Sequence, residues 1–565
     1  MLYFKNHINN NFIYMVWCFF MFYIILLLIP NLIYFFKTFD YSSLFLSIII
    51  VFFLSIFKKT KYFGVFFSIL FFLPMVIFYL IYYGDMPGEQ VFGIISETNY
   101  HELIGYFGNW LLVAFVIFLI WCISLFFILC LDCKYNYTWD SHVRYFIAFV
   151  FIFYFLFSYN ITNIKVNDGE AVFLMSENNL FIDDVRKTFP VGLFFAINKW
   201  RVEQNKINEE FKRNMNFKFN AIKEDVDLNE TIVLVVGETS RRDNWSLNGY
   251  SRETNPLLSK QKNLINLSNM ISISNATSNS IPMLLTRKPA EKVNNYDFSE
   301  KSIISAFKEA GYETYWVSMQ QKFGNNDTTT SIYAKEADHI LFLNNTDYKN
   351  KGGTDDMLLP AVEKITNDNL SKKFIIIHML GSHFDYAHRY PVGFDYFKPS
   401  LNDLNSYSLQ NIKYKTELVN SYDNSIMFTD YVLNNIINIL AKNSGASFLF
   451  YSSDHGESLF DNGCNGSGHG LNYKNNFEIS SFVWYSDSYF LNKTNEINYL
   501  ISNKDKKISQ ISVFPTLLDA GGIKIKNYYS DKSLLGILSE YPRIVMGGLD
   551  FDKVNIMGEC MELQR

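Results

Sequence analysis

The chain has 565 residues, 49% of them hydrophobic, and a formal net charge of -5. This length allows more than one domain, and the acidic balance without any basic block argues against nucleic acid as a partner. The apolar excess lies before residue 160, and charged residues, Asn and Gly return after it. We therefore predict a membrane part followed by a soluble part that is long enough to bury a large core.

Five apolar stretches predict membrane-spanning helices, because a helix needs about 20 residues to cross a bilayer. They are Phe12–Phe36, Tyr41–Phe57, Tyr62–Tyr83, Trp110–Leu131 and Tyr145–Tyr159. The first stretch is too long for the core of a signal peptide, and no small-residue cleavage site follows it. We expect it to be retained, which makes residues 1–162 a transmembrane domain of five helices.

The charges of the short loops predict the orientation of these helices. The loops after the second and fourth spans carry the basic residues Lys58, Lys59, Lys61, Lys134 and Arg144. The loop at 84–109 carries neither Lys nor Arg. The positive-inside rule places the basic loops in the cytoplasm, so the large C-terminal part is expected on the outer side of a multi-pass membrane protein.

Residues 163–222 are predicted to connect the two parts. Phe189–Trp200 mixes aromatic residues with one lysine, and Arg201–Arg213 has the composition of a polar helix. An interfacial helix that seats the soluble part on the bilayer and a buried packing helix both fit this pattern.

Three short apolar runs in the soluble part predict buried parallel strands: Thr231–Val236, Phe374–Ile377 and Ser447–Tyr451. Helical patterns at Lys301–Ala310 and Val419–Ala441 alternate with them. The expected class is α/β with a mainly parallel sheet. In such sheets the functional groups gather beyond the carboxyl ends of the strands.

Residues that bind metal or phosphate follow each of these runs. The candidate ligands are Glu238, Asp454 and His455, with His383, Glu457 and His469 as further donors. A mixed set of oxygen and nitrogen ligands suits zinc better than magnesium. A single acid at a strand end is usually a helix cap or a surface group, and a single histidine an ordinary loop residue. The run Asp454–Glu457 concentrates too many ligands at one strand end for that explanation.

Three segments resemble the phosphoethanolamine transferases of Gram-negative envelopes, which include lipid A modifiers and polymyxin-resistance enzymes, within the alkaline phosphatase and sulfatase superfamily. The segments are VGETSRRDNWSLNGYSRETNP (Val236–Pro256), HMLGSHFDYAHRYP (His378–Pro391) and SDHGESLFDNG (Ser453–Gly463), followed by His469. Their order and the five preceding spans match the layout of the family. The resemblance implies a periplasmic, sulfatase-like catalytic domain over residues 223–565, anchored in the bacterial inner membrane.

The resemblance also implies a catalytic zinc held by Glu238, Asp454 and His455, with a nucleophilic threonine as the fourth ligand. Alignment on Pro282 in SNATSNSIPMLL selects Thr277 as that threonine. From the residues alone this segment is an ordinary turn or helix cap rich in Ser, Thr and Asn. A threonine hydroxyl needs metal coordination or an adjacent base before it becomes a good nucleophile, which fits the ligand set.

Carried over by motif, His383, Glu457 and His469 would contact the phosphoethanolamine group or a second zinc. The implied donor is phosphatidylethanolamine, the implied intermediate is a phospho-threonine, and the acceptor is lipid A, a core sugar of lipopolysaccharide or a periplasmic glucan. The loop at 84–109 resembles a periplasmic loop of the family that could line the lipid-entry path, although a simple interhelical connection explains it equally well.

The sequence departs from the family in three places, one of which is His469, slightly further downstream of Asp454 than the usual spacing. Lipid A enzymes of the family usually carry several disulfides in the soluble domain, one of which brackets the nucleophile, and Ile273 and Met283 occupy those bracketing positions here. This gives weight to a core-sugar or glucan acceptor. The acid-amide pattern expected after the strand at Trp316 is altered to Ser-Met-Gln-Gln. Cys464 and Cys560 are the cysteines of the soluble part, so at most one disulfide forms there.

Three other functions remain open at this point. A phosphoglycerol transferase and a sulfatase-like hydrolase belong to the same superfamily, but a formylglycine sulfatase needs an arginine where Leu284 stands. A catalytically silent membrane scaffold would be expected to have lost one or more ligands, and the whole ligand set is retained.

Overall fold

The computed structural model describes residues 25–39, 41–54, 72–83, 86–88, 91–92, 115–116, 118–120, 122–123, 145–146, 149, 185–214, 216–224, 229–293, 298, 300–320, 329–344, 353–368, 371–526 and 530–564. The chain divides into two compact units. The first comprises residues 1–96 and 109–202, and the second comprises residues 97–108 and 203–565.

The described part of the first unit is mainly helical. Residues 25–38 are helical, followed by α1 (Tyr41–Leu54) and α2 (Leu73–Tyr83). These helices overlap the first three predicted spans. Most of the fourth and fifth predicted spans, and most of the loop at 84–109, lie outside the described residues. Within the described ranges, no helix combines the length and the apolar character that a bilayer crossing requires.

The described part of the connector contains the helix α3 (Val191–Asn214), whose first residues belong to the first unit and whose last residues belong to the second. Leu193 and Ala196 of its first turns pack into an apolar cluster of the first unit with Leu27 and Leu73. Asn31 supports this packing because its amide accepts a hydrogen bond from the Phe189 N–H (2.9 Å) and donates one to the Phe189 carbonyl (2.8 Å). The start of α3 therefore packs within the first unit.

A seven-stranded sheet organises the second unit. Its strands in chain order are β1 (Glu230–Gly237), β2 (Leu264–Asn266), β3 (Glu313–Ser318), β4 (His339–Phe342), β5 (Lys372–His378), β6 (Ala446–Ser453) and β7 (Ser481–Tyr485). Their order across the sheet is β2-β7-β6-β1-β5-β3-β4. The strands from β6 to β4 run parallel, which confirms the prediction for the three apolar runs.

One edge of the sheet differs from the prediction. Strand β7 runs antiparallel to both β6 and β2, so the sheet is mixed. Strand β2 has only three residues, all half-buried, and therefore carries no apolar run that sequence periodicity could detect.

Both faces of the sheet are covered, which explains why β1 is buried along its whole length. The helices of this unit are α4 (Thr277–Leu285), α5 (Ile303–Glu309), α6 (Thr329–Ala334), α7 (Leu358–Thr366), α8 (Lys415–Lys442), α9 (Asp487–Asn492), α10 (Thr494–Asn503) and α11 (Val513–Ala520). Apolar residues of α4, α5, α10 and α11 share one core with Leu234, and those of α7 and α8 share the other with Val235. Helices α5 and α8 confirm the two predicted helical patterns.

Cys464 and Cys560 form a disulfide, with their Cα atoms 4.7 Å apart. The bond joins the loop that follows β6 to a C-terminal hairpin of Asn555–Met557 and Glu562–Gln564. It is the one disulfide that the cysteines of the soluble part allow.

Candidate metal centre

The register of the sheet brings the candidate ligands together. Gly237 at the end of β1 lies opposite Ser453 at the end of β6, and the Asp454 N–H donates to the Gly237 carbonyl (2.9 Å). The residues that follow, Glu238 and Asp454, therefore leave the same edge of the sheet side by side. This is the position at which parallel sheets gather functional groups.

Three buried side chains and one hydroxyl converge there. Glu238, Asp454 and His455 each offer a ligand atom, and these atoms all lie within 4.8 Å of one another. The Thr277 Oγ donates to Asp454 Oδ2 at 2.7 Å and lies 3.2 Å from His455 Nε2. It is also 3.3 and 3.4 Å from the two carboxylate oxygens of Glu238. The hydroxyl thus sits at the centre of the ligand set.

His455 has the tautomer that a metal ligand requires. Its Nδ1 lies 2.9 Å from the Gly456 carbonyl, which can only accept, so Nδ1 carries the proton and Nε2 presents its lone pair. Burial lowers the pKa of His455 to about 4, which keeps the imidazole neutral. A carbonyl that fixes the remote nitrogen in this way is the usual support for a metal-binding histidine.

The two carboxylates repel each other in a site closed to water. Burial raises the pKa of Glu238 well above its ordinary value, and the adjacent Asp454 charge raises it further. Burial also opposes ionisation of Asp454, but the His455 ring and the hydrogen bonds from Thr239, Thr277 and His455 hold its pKa below the ordinary value. Two buried acids beside a neutral imidazole are a donor set that a divalent cation would compensate.

Helix α4 presents Thr277 at its first residue. Ala276 precedes it in an extended conformation and makes no side-chain cap, and the helix continues to Leu285 despite Pro282. Thr277 is half-exposed, whereas the three ligands around it are buried. The residue is therefore partly open to solvent, while its three partners are not. The positive end of the helix favours negative charge at this position.

Thr239 supports two ligands from one position. Its hydroxyl donates to Glu238 Oε1 at 2.8 Å, and its N–H donates to Asp454 Oδ1 at 3.0 Å. Its φ of 57° is a left-handed conformation that a β-branched residue rarely adopts. The bond from Tyr422 Oη to the Thr239 carbonyl (2.6 Å) helps to fix this conformation.

Gln320, within the altered segment after β3, also reaches the site. Its amide nitrogen donates to the Met379 carbonyl (3.0 Å) and lies 3.3 Å from Glu238 Oε2. From the sequence alone, this segment is only a departure from the family pattern. The structure gives the residue a contact with the ligand itself, which no local pattern signals.

The further donors gather beside the ligand set. His469 Nδ1 lies 3.1 Å from Glu457 Oε2, and the ring centres of His469 and His455 are 4.4 Å apart. The His383 ring is 5.4 Å from that of His469, and its Nδ1 bonds to the Phe384 carbonyl at 2.7 Å. Burial raises the pKa of Glu457 to about 8. The structure thus brings His383, Glu457 and His469 together in a second group next to the first.

The residues at the family's disulfide positions are buried apolar side chains. Ile273 and Met283 belong to one small cluster with Ala290 and Val293. Leu284, which stands where a formylglycine sulfatase has arginine, is fully buried in the apolar core. The segment around Thr277 is therefore held by packing, and the side chain that a formylglycine site requires is absent from that position.

Gly381 allows the chain after β5 to pass close to Glu238. Its φ is 54°, and a Cβ at this position would lie 2.6 Å from the Glu238 carbonyl oxygen. We expect Gly381→Ala to destabilise the fold by at least about 2 kcal/mol, because backbone strain and steric overlap add up. It should also lower metal occupancy, since Glu238 must shift. Thermal unfolding and metal analysis of the purified variant test both effects.

Gly393→Ala is the matched control for this substitution. A Cβ at Gly393 would meet no atom within 4 Å, and the residue has no positive φ. This variant should unfold and bind metal like the parent protein. Equal behaviour of the two variants would contradict the close approach at Gly381.

Comparison with known proteins gives a consistent picture. A family model described as sulfatase matches residues 230–523, more than half of the chain. Phosphoethanolamine transferase EptA of Escherichia coli strain K12 is 31% identical over 317 residues, which cover 54% of this chain and 55% of that protein. The chain spans about half the length of the curated relatives it matches.

Two solved structures share the fold. The periplasmic domain of EptC from Escherichia coli, in complex with zinc, has a TM-score of 0.54 and 24% identity, covering 61% of this chain and 98% of that one. The integral membrane protein lipooligosaccharide phosphoethanolamine transferase A from Neisseria meningitidis has a TM-score of 0.61 and 20% identity, covering 83% and 86%. The two solved structures show a likeness in fold, and the family model, which matches more than half of the chain, shows that this chain belongs to the sulfatase family.

Proposed function

We propose that this chain transfers phosphoethanolamine from phosphatidylethanolamine to an envelope acceptor, with Thr277 as the nucleophile. The observation that carries the proposal is the position of the Thr277 hydroxyl, 2.7 to 3.4 Å from ligand atoms of Glu238, Asp454 and His455. A hydroxyl that contacts all three buried ligands, on a residue that is itself half-exposed, fits a nucleophile that is activated by the ligand set and accessible to a substrate. The relatives named phosphoethanolamine transferases support the choice of the transferred group.

Zinc is the cation that we assign to this site. The donors are two carboxylates, one neutral imidazole and one hydroxyl, a mixed oxygen and nitrogen set that suits zinc. The zinc complex of the EptC domain supports the assignment. When bound, zinc would lower the pKa of the Thr277 hydroxyl and offset negative charge on the phosphoryl oxygens.

The proposed reaction has two displacements at phosphorus. The Thr277 Oγ attacks the phosphorus of phosphatidylethanolamine, the bond to the glycerol oxygen breaks, and diacylglycerol leaves with a proton on that oxygen. An oxygen of the acceptor then attacks the phospho-threonine, and the Thr277 hydroxyl is restored. Asp454 Oδ2, 2.7 Å from the hydroxyl, orients it before attack, and the N-terminus of α4 favours the anionic phospho-threonine.

The second group of donors is assigned to the substrate. His383, Glu457 and His469 lie beside His455, where a phosphoethanolamine bound to Thr277 would extend. They would hold that group or a second zinc. The acceptor is lipid A, a core sugar of lipopolysaccharide or a periplasmic glucan.

The proposed location is the bacterial inner membrane, with the catalytic unit in the periplasm. The charges of the short loops give this orientation, and the likeness in fold to an integral membrane transferase supports an anchor. The disulfide between Cys464 and Cys560 agrees with an oxidising compartment. An anchor of this kind would also bring a phospholipid donor within reach.

Mass spectrometry of envelope lipids and glycans from cells with and without the full chain tests this proposal. A gain of one phosphoethanolamine unit on lipid A, core or glucan would establish the activity and identify the acceptor. A gain of phosphoglycerol would favour the alternative transferase. No adduct from expressed, zinc-loaded protein would refute transfer.

A further inference from the structure

Gln510 lies next to the segment that leads into the nucleophile helix. Ile508 and Ser509 pair in parallel with Met270 and Ile271, two residues that lie shortly before Thr277. Gln510 follows this short ladder directly, and its side chain is fully buried. The pairing therefore fixes where the amide of Gln510 points.

The amide bonds to three different segments of the chain. Its oxygen accepts from the Ile273 N–H at 3.0 Å. Its nitrogen lies 2.9 Å from Ser280 Oγ, in the first turn of α4. The same nitrogen donates to the Asp454 carbonyl at 2.6 Å and lies 3.2 Å from the Ser453 carbonyl.

Ser280 completes the connection. It stands three residues after Thr277 on α4, and its hydroxyl donates to the Asp454 carbonyl. Ser280 and Gln510 thus tie the helix that carries Thr277 to the backbone of Asp454. Two of the four donors of the candidate centre are held relative to each other by this pair.

We infer that Gln510 is a positioning residue, which sets the distance between Thr277 and Asp454 through Ser280 and the Asp454 carbonyl. It touches neither the reacting atoms nor the metal. Polar partners behind a metal ligand typically change metal affinity or activity by about 10- to 100-fold when they are removed. The inference rests on the proposed function, since it assigns Gln510 a role in that same site.

The test is zinc affinity, measured by competition with a chromogenic chelator on the purified full chain. Gln510→Met keeps the length of the side chain and removes every hydrogen bond of its amide. We expect its zinc dissociation constant to rise by about 10- to 100-fold. In a transfer assay we expect kcat to fall, with KM for phosphatidylethanolamine unchanged.

Asn503→Leu is the matched control. Asn503 is a buried amide of α10 that donates to the carbonyls of Leu534 (3.0 Å) and Gly536 (2.9 Å), away from the site. Both variants should lower the thermal unfolding midpoint, but only Gln510→Met should weaken zinc binding. Ser280→Ala, which removes the intermediate hydroxyl, should weaken it as well and gives the same information if Gln510→Met fails to fold.

If Gln510→Met binds zinc as tightly as Asn503→Leu does, the inference is overturned and Gln510 is a purely structural residue. If Gln510→Met fails to fold, undiminished zinc binding by Ser280→Ala would overturn the inference instead. The result of this zinc-affinity test is independent of the result of the transfer test of the proposed function. A parent protein that binds zinc but transfers no phosphoethanolamine would refute the transferase while the affinity difference still stood.

Discussion

Thr277→Ala should lower phosphoethanolamine transfer by at least about 10³-fold, because no other hydroxyl occupies the centre of the ligand set among the described residues. The variant should still fold, since the side chain is half-exposed and lies at the first residue of α4. Transfer is measured as the appearance of modified lipid in membranes with a phosphatidylethanolamine donor. The parent protein should also yield a peptide containing Thr277 with one phosphoethanolamine unit attached.

Thr277→Ser is the control that keeps the hydroxyl and changes only the shape of the side chain. Serine keeps the hydroxyl but loses the β-methyl group that restricts χ1, so its hydroxyl is less well oriented. We expect activity within about 100-fold of the parent and a modified peptide of the same kind. Full activity in Thr277→Ala would refute the nucleophile assignment, and an unmodified Thr277 during turnover would favour direct transfer between the two substrates.

Asp454→Asn should remove most of the bound zinc. The asparagine oxygen can still accept from the N–H groups of Thr239 and His455, so the backbone around the site should be kept. Its amide nitrogen, however, replaces the oxygen that faces Thr277, and the negative charge is lost. We expect zinc content to fall to about a tenth or less at limiting zinc, and transfer to fall with it.

Elemental analysis of the purified full chain measures this effect, and Asp430→Asn is its control. Asp430, on α8, is also a buried carboxylate but lies outside the ligand set. It accepts hydrogen bonds from the N–H groups of Leu257 and Leu258. Its substitution should leave zinc content unchanged. Chelation should lower the thermal midpoint of the parent and of Asp430→Asn but hardly that of Asp454→Asn, because a ligand stabilises only the state that binds it. Equal zinc in all three proteins would place the metal elsewhere.

The central strands could be predicted, and the candidate ligands at their ends could be expected to meet, because each depends on a local signal. The runs Thr231–Val236 and Ser447–Tyr451 are almost wholly apolar and are buried at every position, as expected of strands covered on both faces. Strand ends in a parallel sheet share one edge, so Glu238 and Asp454 could be expected to meet. Thr277 could not be predicted in this way, because its own segment indicates an ordinary turn. Only the resemblance to a family selects it.

The supporting contacts could not be predicted because they join segments that are far apart in the chain. Gln510 approaches Ser280 across 230 residues, and Thr239 approaches Asp454 across 215. Neither glutamine nor threonine has a pattern around it that separates a supporting role from an ordinary one. The left-handed φ of Thr239 is equally invisible, since β-branched residues are the least expected there.

The topology of the sheet also bears on how the chain folds as it is made. Strand β1 is the first to be synthesised, yet Glu230 at its start pairs on one side with Lys372 and on the other with Ala446. Both edges of this wholly buried strand therefore lack their partners until much later in synthesis. Non-local pairing of this kind slows folding and leaves an aggregation-prone intermediate exposed. The nascent domain should therefore depend on a chaperone until β6 has arrived.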